Sequence, residues 1–350
     1  MNLEELSPLL FQQYRKLSKE TGPLDRLQTR EFKAIAQKLK NHEPDLYTYL
    51  LYYMPLRYQE GLSLIGECPK PPARVLDLFA RVGPFSLAAL EKGAGEVIMM
   101  DKDRTFLDAG AQVIGRMGYP VTTKVWDPSK PLRLDEPFDL IIAAYPDEPL
   151  KDEFVERLID KLTPEGVLLL VDSSLPGPNK AFLERRDRFV KKRYPVQAPC
   201  VFQGECVALK SGAPCYAQRP LHKIPIIKDL QRSAGINLSS LKMSYLMIRP
   251  KQAGWPQVPP SARVISPPIE THEGEKFFLC ATDGKKLLGS TLKTHPKASR
   301  AYEYLKRGEL ITIKDALVNN ITLEIEENSI LKVIAPLGFP PPDNKNGESE

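Results

Sequence analysis

Between Ala73 and Ser174, short apolar runs alternate with amphipathic stretches of helical period, and this alternation restricts the fold more than any other feature. "ARVLDLFA" (73–80), "EVIMMDKD" (96–103), "FDLIIAAYP" (138–146) and "VLLLVDSS" (167–174) read as strands with both faces covered. "PFSLAALEKG" reads as a helix ending at Gly93, "RTFLDAGAQVIGRMG" as a helix running to Gly118, and "DEFVERLIDKLTPEG" as a third. Continuous apolar strands separated by helices require a parallel sheet with helices on both faces.

The flanks are organised differently. Residues 1–60 read as an N-terminal helical segment that Pro55 closes. The α/β domain then spans 61–250, with a cysteine-rich insertion at 195–222 and "LKMSYLMIRP" (241–250) as a returning strand. A Pro-rich stretch, "GWPQVPPSARVISPP", leads into a small β-rich module over 251–335. There "KFFLCATDGKKLLGSTL" predicts a hairpin around Asp283-Gly284, and "RGELITI" and "ITLEIEE" predict further strands. Residues 336–350 read as a disordered tail. No run of eighteen apolar residues occurs, so no membrane span is expected. The N-terminus, "MNLEELSPLLFQQYRK", has neither an apolar core nor an Arg/Ser-rich, acid-poor character, which predicts a reducing cytoplasm. There, clustered cysteines point to metal binding or catalysis before disulfides.

"VLDLFARVGPFSLAAL" sets Asp77 at the end of the first strand and a turn into a helix. Such a turn presents backbone N–H groups to a cofactor. Asp101 ends the second strand, where a carboxylate accepts hydrogen bonds from ribose hydroxyls, and Asp127 would lie near a base. The arrangement resembles class I S-adenosylmethionine-dependent methyltransferases, whose first motif reads acid-x-Gly-x-Gly-x-Gly. Here those places hold Asp77, Phe79, Arg81 and Gly83. The resemblance implies Asp77, Phe79, Gly83, Asp101 and Asp127 as the cofactor-binding set. Arg81 departs from it by bringing a long cation toward the sulfonium. "AAYPDEP" lacks the Asn/Asp-Pro-Pro-Tyr-type motif of amino-group methylation, so no catalytic residue is assigned. A scaffold without a cofactor is the competing reading.

"PCVFQGECVALKSGAPCYAQRP" (199–220) holds three of the five cysteines at spacing C-x5-C-x8-C. Structural zinc sites start from tighter pairs, although zinc stays open. Irregular spacing on a Gly/Pro-rich loop suits an iron–sulfur cubane, with Cys280 or Cys68 as the fourth ligand. Just upstream, "RRDRFVKKR" (185–193) carries six basic residues and one acid, a net of +5 that equals the whole chain's. Arg185, Arg186, Arg188, Lys191, Lys192 and Arg193 are candidate phosphate contacts, against a plain solvated helix face.

With these motifs in order, "PCVFQGECVAL…GAPCYAQRP", "LQRSAGINLSSLKMSYLMIRP" and "FFLCATDGKKLLGSTLKTHPKASRAYEYLKRGELITI", the chain resembles the small-ribosomal-subunit methyltransferase-like proteins of bacteria and mitochondria from about Tyr52 to Ile313. The resemblance implies a class I methyltransferase-like parallel sheet and a structural 4Fe-4S cluster on Cys200, Cys206, Cys215 and Cys280. It also implies a role in small-subunit assembly or translation through rRNA and ribosomal proteins, with active S-adenosylmethionine-dependent rRNA methylation as the alternative. Val201, Val207 and Tyr216 depart from its usual neighbours of the cysteines. A monomer when free, in a prokaryotic cytoplasm, is expected; the mitochondrial matrix is the alternative.

Overall fold

The computed structural model describes residues 3–134, 136–256, 261–272, 274–289, 305–319 and 321–335. The expected tail at 336–350 lies outside the described residues, as does the centre of the Pro-rich stretch at 257–260. In chain order come α1 (Leu3–Ser18), α2 (Thr29–Lys40), α3 (Leu46–Thr48), a π-helical turn (Tyr49–Tyr53) and α4 (Met54–Ile65). Next are β1 (Arg74–Leu78), α5 (Pro84–Glu91), β2 (Glu96–Asp101), α6 (Arg104–Arg116), β3 (Thr122–Val125), β4 (Phe138–Ala144), α7 (Asp152–Ile159) and β5 (Leu162–Ser173). They are followed by α8 (Pro176–Lys191), β6 (Val196–Ala198), α9 (Val207–Lys210), β7 (Ala217–Pro220), α10 (Pro225–Ala234) and β8 (Ser240–Ile248). The last strands are β9 (Ala262–Val264), β10 (Ile269–Thr271), β11 (Gly274–Ala281), β12 (Gly284–Gly289), β13 (Leu310–Lys314), β14 (Leu317–Val318), β15 (Thr322–Glu324) and β16 (Ile330–Ala335).

Two compact units result, Met1–Val171 with Leu221–Leu241, and Asp172–Pro220 with Lys242–Glu350. In the first unit the strands run β3-β2-β1-β4-β5, all parallel, with Asp77 beside Met99 on one side and Ile142 on the other. Val75, Leu76, Leu78, Leu140, Ile141 and Ile142 are fully buried, which is why these strands read as unbroken apolar runs. β3 is the edge, and its sequence Thr-Thr-Lys-Val is mostly exposed, so no apolar run marks it. Gly110 lets α6 approach the loop after β1: a Cβ there would stand 2.3 Å from the Val82 carbonyl oxygen.

Two boundaries differ from expectation. The helix expected to run to Gly166 stops at Ile159, and Leu162 already belongs to β5. Pro164 forces Thr163 out of the helical region, and the Thr163 hydroxyl donates to Asp139 Oδ1 at 3.0 Å. Pro55 does not close the N-terminal helices; it stands in the first turn of α4, directly after the π-helical turn.

In the second unit, β8 pairs antiparallel with β6 and also pairs with β7. The C-terminal strands form a separate sheet ordered β14-β15-β12-β11-β9-β13-β16, with β10 on β11. The hairpin expected around Asp283-Gly284 is present as β11–β12, with Ala281 opposite Gly284 and Gly284 at φ +125°. Val264, Phe277, Leu279, Leu288, Ile311 and Ile325 fill this module's core.

Candidate functional site

The loop from β1 to α5 keeps a backbone that ordinarily demands glycine. Phe79 (φ +60°), Arg81 (φ +51°) and Gly83 (φ +73°) are all left-handed, yet only the last is glycine. Each of the other two carries roughly 1 kcal/mol of strain. Two buried carboxylates offset it. Asp77 Oδ2 accepts from the Ser86 amide at 3.0 Å and the Ser86 hydroxyl at 2.7 Å, anchoring the first turn of α5. Asp101 Oδ2 accepts from the Arg81 amide at 3.0 Å, and its Oδ1 from the Asp103 amide at 3.0 Å.

The Arg81 guanidinium is also committed. It pairs with Asp147, lies 3.6 Å from Asp101 Oδ1, and sits 5.6 Å from the Tyr49 ring centroid. Lys102 Nζ reaches the other oxygen of Asp147 at 2.7 Å. Partial burial works against ionisation of Asp147, but Lys102 and Arg81 together hold its carboxyl below the ordinary value. At the end of β4, Tyr145 is left-handed (φ +51°) and immobilised. Its hydroxyl donates to Glu60 Oε2 at 2.9 Å, and Arg57, itself 2.8 Å from Glu60, lies 3.2 Å over its ring.

Phe79 separates two hollows. One, of about 540 Å³, is lined by Phe79, Lys102, Trp126, Asp127, Asp147 and Phe154 among others. Phe79 meets Trp126 edge-on at 5.8 Å, and Trp126 stacks on Phe154 at 6.0 Å. The smaller, of about 140 Å³, is lined by Tyr49, Tyr53, Arg57, Asp77, Arg81 and Tyr145 with others. The structure therefore brings Phe79 and Asp127 to the large hollow. Asp77 supports the loop and faces the small one, and Asp101 and Gly83 line neither. Asp127 Oδ1 caps the Ser129 amide at 2.9 Å, and that bond draws its carboxyl below the usual value.

In the second unit, Cys200, Cys206, Cys215 and Cys280 line one cavity of about 30 Å³ together with Arg186 and Arg263. Burial pushes the thiols of Cys206, Cys215 and Cys280 up, Cys280 to about 12, and the charge of a Cys200 thiolate adds to the rise in each. Among the described residues, no group of three or more His, Cys, Asp or Glu is arranged to hold a metal ion. Cys68, in the first unit, is not part of this cavity.

Buried polar side chains hold the loop. Asn179, 2% exposed, donates to the Cys215 carbonyl at 2.8 Å and accepts from its amide at 3.2 Å. Arg263, opposite Cys280 across β9 and β11, donates to Pro199 O at 2.8 Å and Gly308 O at 2.8 Å. Arg186 belongs to the run read as phosphate-contacting, but it is 2% exposed and points into the cavity. It donates from Nε to Cys200 Sγ at 3.3 Å, and to the carbonyls of Phe202 and Gly204. Asp187 pairs with it at 2.6 Å and accepts from the Cys206 amide at 3.0 Å. Burial thus removes Arg186 from what a polyanion can reach. Arg188, Lys191, Lys192 and Arg193 are exposed and Arg185 is half-buried. Because Arg186 and Asp187 neutralise each other, the remaining five still carry the run's net of +5. Asn179, Phe182, Leu183, Arg186 and Phe189 make one helical stripe, the signal in the sequence that would have marked Arg186 as inward-facing.

The parallel order β3-β2-β1-β4-β5, with acids near the ends of β1 and β2 around a left-handed βα loop, is the class I methyltransferase-like sheet expected from the sequence. Residues 72–309 match the family described as "Mitochondrial small ribosomal subunit Rsm22", and the chain belongs to that family. Similar solved structures include the Pyrococcus abyssi tRNA (uracil-54, C5)-methyltransferase in complex with S-adenosyl-L-homocysteine, at 15% identity and TM-score 0.34, covering 55% of this chain and 38% of that one. The ribosomal protein L11 methylase from Lactobacillus delbrueckii subsp. bulgaricus is similar at 16% identity and TM-score 0.34, covering 55% and 78%. No curated protein matches the chain.

Burial pushes Asp77 up to about 7 against the pull of Ser86, with the nearby Asp101 charge adding to the rise. A carboxyl raised on folding contributes stability that is complete below about pH 4 and lost as pH rises toward 7. Asp77→Asn, which keeps the acceptor for Ser86, should therefore gain on the wild type between pH 4.5 and 7 and hold that gain at pH 8. Thermal unfolding of both proteins at pH 4.5, 6 and 8 checks this; an offset independent of pH contradicts it.

Proposed function

We propose that this chain acts on the small ribosomal subunit as an assembly or translation factor, binding rRNA and using the methyltransferase fold as a scaffold. The observation that carries the reading is the commitment of Arg81 to Asp101 and Asp147, and of Tyr145 to Glu60 and Arg57, where methyl transfer would be performed. Membership of a small-subunit family supports the partner. Its description is mitochondrial, which favours the matrix over a prokaryotic cytoplasm. No described helix is long and apolar enough to cross a membrane.

A cofactor fits the first unit's loop in one respect: Phe79 of the left-handed turn and Asp127 line the same large hollow. S-adenosylmethionine would be held by Asp101, Asp127, Phe79 and the Gly83 turn supported by Asp77, and it supplies an electrophilic methyl group when bound. Arg81 opposes it, since its guanidinium competes for Asp101. We expect weak binding to the wild type by titration calorimetry and about tenfold tighter binding to Arg81→Gly, a change of about 1.4 kcal/mol. Neither protein should label rRNA from the methyl donor. Label in small-subunit rRNA that disappears in Asp101→Ala would establish the alternative, an active rRNA methyltransferase.

The cysteine cavity fits a 4Fe-4S cluster by its donor chemistry: four soft thiols and two buried guanidinium groups, which suit an anionic thiolate-ligated core. Cys200, Cys206, Cys215 and Cys280 would hold it, and when bound it supplies covalent links between the 200–215 loop and β11. Four thiolates leave no iron open to a substrate, so the role we propose is to tie the loop to β11, with the core itself still able to take up an electron. Anaerobically purified protein should carry about four irons with matching sulfide. Cys280→Ser should lose them and Cys68→Ser should not. One zinc and no sulfide would overturn the assignment.

For rRNA, the exposed side of α8 and the residues after it are the proposed contact. Each lost phosphate contact lowers the salt slope of binding by about one unit. Changing Arg185, Arg188, Lys191 and Lys192 to Glu should weaken co-sedimentation with immature small subunits and flatten its salt dependence. The visible absorbance should be unaffected, because these four do not line the cavity. Unchanged salt sensitivity would leave the run a solvated face.

A further inference from the structure

Arg186 comes from a run of basic residues, yet it is sequestered at 2% exposure and directed at sulfur. The guanidinium, the most persistently charged side chain, is thus set against a thiol in the cavity that the four cysteines line. All three of its nitrogens are engaged: Nε with Cys200 Sγ, one terminal nitrogen with Phe202 O, and the other with Gly204 O and Asp187. Two of these acceptors lie between Cys200 and Cys206, so a single side chain fixes the curvature of the segment joining two thiols. Asp187 completes the unit by holding the guanidinium at 2.6 Å and the Cys206 amide at 3.0 Å and 3.2 Å.

We infer that Arg186 is a positioning residue that holds the Cys200 sulfur and sets the reduction potential of the cluster proposed above, with Asp187 setting how much of its charge the cluster feels. The inference depends on the cluster reading. A one-electron reduction adds a negative charge to the cluster, and the electron comes from an external donor, dithionite in the test below. A hydrogen bond to a ligand sulfur and a nearby positive charge both stabilise the reduced form and raise the potential. A carboxylate paired with that charge lowers its effect. Loss of the guanidinium and loss of the carboxylate should therefore move the potential in opposite directions, which simple loosening of the loop would not do.

The test is an anaerobic optical redox titration of the full-length chain with dithionite, alongside iron and sulfide analysis. Wild type, Arg186→Gln, Arg186→Lys and Asp187→Asn are compared. Asp187→Asn should lie at a more positive midpoint than wild type, and Arg186→Gln at a more negative one. Arg186→Lys, which keeps the charge without the fixed Nε–H, should fall between wild type and Arg186→Gln. If Arg186→Gln fails to retain iron, the order Asp187→Asn above wild type above Arg186→Lys carries the same decision. Iron-loaded variants with the wild-type midpoint would overturn this inference and leave the cluster standing. A wild-type protein without iron and sulfide would overturn the cluster itself, and this inference with it.

Discussion

Both candidate sites are built on charged side chains taken out of water and committed to backbone groups. Removing an ion from water costs several kcal/mol unless hydrogen bonds replace the lost hydration. Asp101 meets that condition by capturing the amides of Arg81 and Asp103, and Arg186 meets it through two carbonyls, a carboxylate and a sulfur. Asp77 meets it only in part through Ser86, and its carboxyl is pushed up to about 7. The chain path follows from those captures. The loop after β1 could relax out of its left-handed residues were Asp101 not holding the Arg81 amide.

The same logic explains how a loop can keep the shape that glycine favours without the glycines. Left-handed backbone at Phe79 and Arg81 is disfavoured only by about the worth of one hydrogen bond each. Phe79 recovers it by packing edge-on against Trp126, and Arg81 by its two carboxylate partners. The substitutions therefore leave the cradle's geometry in place and change its electrostatics. The left-handed turn persists, while the cation that Arg81 adds to it is held by Asp101 and Asp147.

How much of this was legible in the sequence varied with burial. Strands covered on both faces, such as β1, β4 and most of β5, announce themselves as apolar runs because nothing polar is tolerated there. β3 stayed invisible, since an exposed edge strand has no such restriction. The end of α7 was hidden because "LIDKLTPEG" continues the helical period, and what stops it is one proline acting on Thr163. Cys200, Cys206, Cys215 and Cys280 were placed together by resemblance, and the structure gathers them in one cavity. Arg186 was misread because a charge run was counted along the chain, whereas a helix sorts its residues by angle. Asp147 carried no signal, because its partner Arg81 lies far away in sequence, and the helical stripe that turns Asn179 inward does not name the Cys215 backbone as its partner.

α8 shows why the inward and outward readings of the basic run belong to one structure. A sixteen-residue helix opening with Pro176, Gly177 and Pro178 is marginal by itself, so tertiary packing of one stripe must hold it. That stripe is Asn179, Phe182, Leu183, Arg186 and Phe189, and two of the five make their hydrogen bonds to the cysteine loop. The exposed Arg188 and Lys191 are presented in a fixed array only while the stripe stays packed. Order in the cysteine loop and presentation of the basic face are thus set by the same contacts, with Arg186 as the residue that joins them.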